Sequence, residues 1–367
     1  MSGLAAMWWR QEEPPLQRLL LAPLALPEAL FRAGVALRNA LYDRGLRAAA
    51  RAGAPVLSVG NLAVGGSGKT PAALEVARRL AARGRQVALL SRGYGASRSD
   101  ARVVADGSRV LLGAEEAGDE PLLLARRLPG LRVLCGPRRA ELATLAVERL
   151  AADALVLDDG FQHRALARDL DLVVFDGANP WGNGRLLPRG PNREGRGALR
   201  RGQLCWISRV DQAAAPALER LRALAREATG RPPVESRHAV ADVLDGALSR
   251  SVGKGALAGQ RLLLLSGIGR PEGFRRTVEV LGGTVAAERA FADHHRFADA
   301  ELSEAFAAAR AAGCDGVATT EKDAVRLSTR WAAEAMLKVV RIEAEVVSGG
   351  EELDRAIDGA LARWKAG

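Results

Sequence analysis

From Pro55 onward the chain alternates short apolar runs with longer stretches whose apolar residues recur at helical spacing. "PVLSVG", "QVALLS", "LRVLCG", "ALVLDDG" and "LDLVVFDG" each have the length of a buried strand and close on a turn. Between them, residues 70–83, 119–128 and 138–151 carry Ala-, Leu- and Arg-rich helical patterns. This alternation predicts a parallel sheet covered on both faces. Residues 179–202 interrupt it with a loop rich in Gly, Pro and Arg, and a helix is expected over about 212–228. "GRPP" then marks a boundary, and "VESRHAV" supplies extended linker strands. A second, smaller α/β pattern opens with "QRLLLLSGIG" and holds helices near 271–281 and 299–312. The predicted organisation is an N-terminal amphipathic segment (1–50), a main α/β domain (51–230) and an extended linker (231–258). A smaller α/β domain (259–345) and a C-terminal helix (346–367) follow.

The N-terminal segment breaks the rhythm. Its run "LLLAPLALP" is too short to span a bilayer and carries Pro23 and Pro27. Beyond it Leu30, Ala33, Leu37 and Leu41 recur at helical spacing, with Arg32, Arg38, Asp43 and Arg44 off that stripe. Such a helix either lies in a membrane interface, with Trp8 and Trp9 upstream, or packs on its own domain.

Composition narrows the function classes. The 367 residues are 48% hydrophobic, ample for two cores, but only 4% aromatic. The net charge of +10 suits nucleic acid, an anionic membrane or a phosphorylated substrate. No aromatic-interleaved basic patch or nucleic-acid reader module occurs, so nucleic acid is not an expected partner. Cys135, Cys205 and Cys314 are too scattered for a metal site or disulfide framework, as in a reducing compartment.

The chemistry begins at "SVGNLAVGGSGKTP", a strand, a glycine-rich turn and a helix start. Backbone N–H groups converge there at the positive end of a helix dipole, which suits phosphate. Gly65, Gly66 and Gly68 let the backbone wrap phosphate oxygens, with Ser67 in the cradle. Lys69 reaches the β- and γ-phosphates, and the Thr70 hydroxyl serves Mg²⁺. The strict pattern asks for glycine where this chain has Ala63. A metal also needs a carboxylate at a neighbouring strand end, and "ALVLDDGFQH" offers Asp158 and Asp159.

Other polar clusters surround these. "GAEEAGDEP" places Asp119 and Glu120 at a helix start, as caps or catalysts, and "LSRGYG" places Arg92 and Tyr94 after a strand. "NPWGNGRLLPRGPNRE" gathers Arg185, Arg189, Arg193 and Glu194, and "FADHHRF" gathers Asp293, His294, His295 and Arg296. Together they describe an anion-binding cleft.

The ordered set "GNLAVGGSGKTP", "SRGYG", "GDEP", "DDGFQH", "GNGRLLPRGPNRE", "ADHHRF" and "TTEKD" resembles the tetraacyldisaccharide 4'-kinases, the lipid A kinases of Gram-negative bacteria. The likeness runs from the N-terminal segment to about residue 328. In that family the first loop glycine is also absent, so Ala63 ceases to be an anomaly. The resemblance implies a P-loop NTPase-type sheet domain joined by a short strand linker to a smaller α/β domain. It implies transfer of the ATP γ-phosphate, with Mg²⁺, to the 4'-hydroxyl of tetraacyldisaccharide 1-phosphate, giving lipid IVA. It also implies a peripheral enzyme on the cytoplasmic face of the inner membrane, which favours the interfacial helix. Asp119 matches the proposed base and His294 its partner, with Lys69 on the phosphates. Thr70, Asp158, Asp159 and Glu194 match metal positions, and Arg92, Arg139, Gln162, His163 and Arg193 match substrate positions. Arg189 and Asn192 depart from the family pattern. Read from the residues alone, a soluble-substrate kinase or ligase and a nucleotide switch remain open, although no Asn-Lys-x-Asp guanine element occurs.

Overall fold

The computed structural model describes residues 7–10, 13–93, 100–269, 271–293 and 295–366. The chain divides into a larger unit, residues 2–237 with 344–367, and a smaller one, residues 238–343. Its elements are α1 (Pro15–Leu21), α2 (Ala25–Asp43), β1 (Val56–Gly60), α3 (Lys69–Ala82), β2 (Val87–Ser91) and β3 (Arg102–Asp106). Next come α4 (Ala114–Ala117), α5 (Asp119–Arg127), β4 (Arg132–Cys135), α6 (Arg139–Leu150), β5 (Ala154–Asp158) and β6 (Leu170–Asp176). After β7 (Leu204–Ser208), α7 (Ala215–Thr229) and β8 (Val234–Asp245), the smaller unit contributes β9 (Arg261–Ser266), α8 (Pro271–Val280) and β10 (Thr284–Ala290). It continues with α9 (Asp299–Ala311), β11 (Gly316–Thr320), α10 (Glu321–Ala324) and α11 (Thr329–Ala332). β12 (Leu337–Ser348) and α12 (Gly350–Ala366) end the chain, which passes between units within β8 and β12.

In the larger unit the strand order is β8-β7-β6-β1-β5-β2-β4-β3. Neighbouring strands from β7 to β4 are parallel, and β3 is antiparallel to β4. β1, β2, β5, β6 and β7 are buried along their whole length, because alternate side chains point into two covered faces. On one face Leu57, Val59, Val156, Leu172 and Val174 pack with Ala73, Val76 and Leu80 of α3 and Leu353 and Ile357 of α12. On the other, Val56, Leu155 and Leu157 pack with Leu142 and Ala146 of α6, and Val173 and Ile207 with Leu221 and Ala225 of α7.

α12 therefore belongs to the larger unit. Arg79 donates to Asp354 at 2.6 Å and to the Gly350 carbonyl at 2.8 Å, and Arg83 pairs with Asp354 and Asp358. The smaller unit has the order β10-β9-β11-β12-β8. Leu263 and Leu265 face Leu302 and Phe306 of α9, while Leu262 and Leu264 face Phe274 and Val278 of α8.

The N-terminal run is longer than its sequence suggests. α1, a 3₁₀ turn over Ala22–Leu24 and α2 form one helical stretch, Pro15–Asp43, of 29 residues, whose most apolar 18-residue window has mean hydropathy 1.5. By length and composition it is able to cross a membrane. Pro23 and Pro27 do not end it: each sits in the first turn of its segment, where no intrahelical N–H bond is required.

Candidate active site

β1 and β5 lie side by side with Val59 opposite Asp158, so the turns leaving both strands meet at one sheet edge. Gly60 is required there: a Cβ on it would lie 2.6 Å from the Phe161 backbone nitrogen. The loop that follows uses the left-handed region at Gly65 (φ +88°) and Gly68 (φ +83°), which favours glycine, and Lys69 opens α3. Ala63 instead forms an antiparallel bridge with Asn192, flanked by Val64 N–H donating to Pro191 O at 2.8 Å. Extended backbone accepts a Cβ, which is why the missing glycine costs nothing. Asn61, a residue the motif pattern did not flag, donates from Nδ2 to Ser67 Oγ at 2.8 Å in a buried contact. Trp9 also reaches the loop, its ring edge 3.3 Å from where a Gly65 Cβ would stand.

Thr70 Oγ1 donates to Asp158 Oδ2 at 3.1 Å, while Asp158 Oδ1 is buried without a hydrogen-bond partner. Burial foremost, then the Glu120 and Asp159 carboxylates, push Asp158 up to about 7. A buried carboxylate with one orphaned oxygen beside a hydroxyl fits a hard divalent cation. Mg²⁺ takes one or two protein oxygens and fills its octahedron with phosphate and water. Among the described residues no group of three or more His, Cys, Asp or Glu is placed to cage a metal.

Asp159 is differently engaged. Its backbone is left-handed (φ +56°), Arg193 Nη1 donates to both its oxygens at 2.8 Å, and Lys69 Nζ stands 3.8 Å away. Burial pushes Asp159 up, but Lys69 and Arg193 outweigh it and hold the carboxyl below its ordinary value. Lys69 Nζ also donates to Gly65 O at 3.1 Å. Gln162 links Arg193, at 3.3 Å, to the Asn61 carbonyl, at 2.9 Å.

Arg139 is 3% exposed, and its guanidinium donates to the Gly136 carbonyl while Nε has no partner. Burial lowers its pKa to about 10 against the pull of Asp158 and Asp159. Burial, then Arg139, Arg168 and Arg92, lower His163 to about 4, so its imidazole is neutral near pH 7. Arg92 is exposed just past β2. Arg139 thus brings a cation close to both aspartates, and Arg92 and His163 lie close enough to Arg139 to feel its charge.

Glu194, expected at the metal, is engaged within the protein. Glu194 is 2% exposed, takes Arg201 on both oxygens at 2.8 and 3.0 Å, and accepts from Asn39 Nδ2 of α2 at 2.8 Å. Arg38 stands 3.5 Å away. These three hydrogen bonds and the Arg38 ion pair tie Glu194 to Arg201 and to α2. Asp119 is the first residue of α5, after Gly118 (φ +84°), and is partly exposed. Its expected partner His294 lies outside the described residues, as does Tyr94. In the smaller unit His295 binds Glu301 at 2.8 Å and stacks on Phe291, so it is spent within its own loop.

The chain is similar to known proteins. The profile of the family described as tetraacyldisaccharide-1-P 4'-kinase matches residues 17–362. A tetraacyldisaccharide 4'-kinase of Anaeromyxobacter sp. (strain Fw109-5) is 67% identical over 363 residues, covering 99% of this chain and 98% of that relative. One from Geobacter sulfurreducens is 42% identical over 320 residues, covering 86% of each. The crystal structure of LpxK from Aquifex aeolicus in complex with ATP matches with a TM-score of 0.76 at 28% identity. That match covers 93% of this chain and 99% of that one.

Proposed function

The chain belongs to the tetraacyldisaccharide-1-P 4'-kinase family, and on that premise we propose that it transfers the γ-phosphate of ATP to the 4'-hydroxyl of tetraacyldisaccharide 1-phosphate, giving lipid IVA. The observation that carries the proposal is the Thr70–Asp158 pair, with its orphaned Oδ1, at the mouth of the phosphate loop. Phosphoryl transfer is mainly positioning and charge neutralisation. Lys69 and the loop amides hold the β- and γ-phosphates. Thr70 and Asp158 would hold the metal, and Asp159 acts through Lys69 and Arg193. A bound Mg²⁺ would supply charge neutralisation between the β- and γ-phosphates. Arg139 brings a buried cation to the same place, and Arg92, Gln162 and His163 line the acceptor side. Asp119 takes the proton of the attacking hydroxyl, with His294 as its partner.

Membrane attachment at the cytoplasmic face of the inner membrane is part of the same reading. The helical stretch from Pro15 to Asp43 buries Gln17, Leu21 and Glu28 and exposes Leu16, Leu19, Leu26, Leu30 and Leu37. Glu28 accepts from Leu186 N at 3.0 Å, Asn39 reaches Glu194, and Arg164 pairs with Asp43 at 2.7 Å. A rod tied to protein along its polar face offers only its apolar face to lipid, which favours lying in the interface over crossing it. This gives an acylated acceptor a surface at which to meet the site, and a soluble-substrate kinase has no use for it.

The test is incubation with ATP, Mg²⁺ and the disaccharide 1-phosphate, read by mass for one added phosphate and by its position. No added phosphate, or equal activity on a deacylated sugar, would overturn the reading. Asp119→Ala and His294→Ala should each lower kcat, with a double variant scarcely worse than the worse single one. Losses that multiply would assign the two residues separate roles.

A further inference from the structure

The phosphate loop is held from the side opposite its aspartates, by residues outside its motif. β6 and β7 pair in parallel with Asp176 opposite Ser208, and β6 borders β1, so their ends reach the loop's edge. Ser208 is 1% exposed, and its Oγ lies 2.8 Å from the Ser67 carbonyl and 3.0 Å from the Phe175 carbonyl, sharing one proton between them. Arg209 donates from Nη2 to the Gly66 carbonyl at 2.8 Å. The same guanidinium is paired with Asp176, Nε to Oδ1 at 3.0 Å and Nη2 to Oδ2, and Ala178 N–H also donates to Oδ1 at 3.1 Å. Gly177 lets the two strand ends close up, since a Cβ there would lie 2.8 Å from the Ser208 carbonyl.

We infer that Ser208, Arg209 and Asp176 are positioning residues that set the phosphate loop for the phosphates of ATP. The inference rests on the reading of that loop as the ATP site. A peptide unit is planar and trans, so its carbonyl and N–H point to opposite sides. Holding the carbonyls of Gly66 and Ser67 toward β7 therefore fixes the directions of the Ser67 N–H, which donates to the Gly65 carbonyl at 3.1 Å, and of the Gly68 N–H. The Gly68 N–H belongs to the N-cap of α3, where phosphate is bound. An Arg–Asp pair that only closed the sheet edge would need neither loop contact. Here two successive residues direct side-chain donors to two successive loop carbonyls. Arg209 adopts a left-handed backbone (φ +55°), uncommon for a long side chain, in doing so.

The experiment is calorimetric titration of ATP with Mg²⁺ into wild type, Ser208→Ala, Arg209→Lys and Asp176→Asn, beside the KM for lipid and the melting temperature. The positioning role predicts an ATP Kd raised roughly tenfold or more by each variant, with lipid KM close to wild type. The melting temperature should stay near wild type for Ser208→Ala and fall for the two variants that break the buried Arg209–Asp176 pair. Wild-type Kd in the variants overturns it, as does a fall in the melting temperature of Ser208→Ala that accounts for its loss. If Arg209→Lys does not fold, Ser208→Ala, which removes one hydroxyl, decides alone. A wild-type protein that bound no ATP would instead sink the reading of the site and this inference with it.

Discussion

Helices α2 and α3 both carry apolar residues at helical spacing and put them to opposite uses. α3 buries Ala72, Ala73, Leu74, Val76, Ala77 and Leu80 in the sheet core. α2 buries only Glu28 and leaves Leu26, Leu30 and Leu37 at least 63% exposed. The periodicity of a helix reveals that it has two faces and says nothing about which face meets the protein. On α2 the partners decide. The N–H of Leu186 and the carboxylate of Glu194 bind its polar face, and no sheet face is left for its leucines.

The first way to sharpen the contrast is at the N-terminus of α3, where the helix carries chemistry as well as packing. Lys69→Ala should lower kcat on the order of a hundredfold or more, with only a small change in melting temperature. Lys69 lies outside the apolar core, and among the described residues its ammonium meets only the Gly65 carbonyl and Asp159. Asp158→Asn should lower it comparably and weaken the dependence on Mg²⁺, whereas Asp159→Asn, which leaves the orphaned oxygen in place, should act chiefly through ATP binding. Equal loss of Mg²⁺ affinity in the two variants would sink the assignment of Asp158 as the direct ligand.

A second contrast is in packing. Leu80→Ala, in a site with no exposed surface, should cost about 2–5 kcal/mol of stability. Leu30→Ala should change it by less than about 0.5 kcal/mol. Denaturant titration compares them directly, and similar costs would mean that the leucines of α2 are packed after all.

How much of this was legible in the sequence follows from which interactions are local. The glycine turn, Lys69, Thr70 and the strand-end Asp158 were legible because each is specified by neighbours in the chain. The five apolar runs became β1, β2, β4, β5 and β6 for the same reason. β7 and the brace built on Ser208 and Arg209 passed unmarked, since "LCWIS" matters through contacts with a loop about 140 residues earlier (Ser208 to Ser67 is 141). The metal role of Glu194 came from the family resemblance, not from its neighbours in the chain. Its partners Asn39 and Arg201 come from a distant helix and a following turn, and only three dimensions bring them together. The C-terminal helix was expected as a separate piece, and its return to α3 depends on Arg79 and Arg83 meeting Asp354 and Asp358 across the sequence.

Glu194→Gln tests whether Glu194 anchors α2 or holds the metal, and as an anchor should have a middling effect. Losing the charge facing Arg201 and Arg38 should cost roughly 1–3 kcal/mol, while the Mg²⁺ dependence of turnover stays as in wild type. Although burial raises the Glu194 pKa, Arg201, Asn39 and Arg38 hold it below the ordinary value. Its stabilisation is therefore present above the unfolded value of about 4.3 and is lost as pH falls through the lower folded value. The melting-temperature gap between wild type and Glu194→Gln should be full at pH 7 and close in acid. A variant with wild-type stability but a shifted Mg²⁺ requirement would place Glu194 at the metal.

The smallest expected change in the folded protein is also the one that isolates the exposed face of α2. Leu30→Gln with Leu37→Gln replaces two side chains that are 66% and 63% exposed, so the melting temperature in water should stay near wild type. Each leucine that enters the acyl boundary gains about 0.8 kcal/mol per buried CH₂. Removing both should therefore release much of the protein from vesicles of anionic lipid in a flotation assay. The apparent KM for the lipid acceptor should rise while the Kd for ATP, set by the phosphate loop, does not move. The paired control is Arg32→Gln, which removes an exposed charge that pairs with Glu28 at 3.0 Å and should have a weaker, salt-dependent effect on binding. If the leucine variant floats like wild type, the face is not the lipid contact, and the contrast with α3 loses its functional meaning. If it unfolds, the face is covered by protein in solution, and the lipid reading of α2 fails with it.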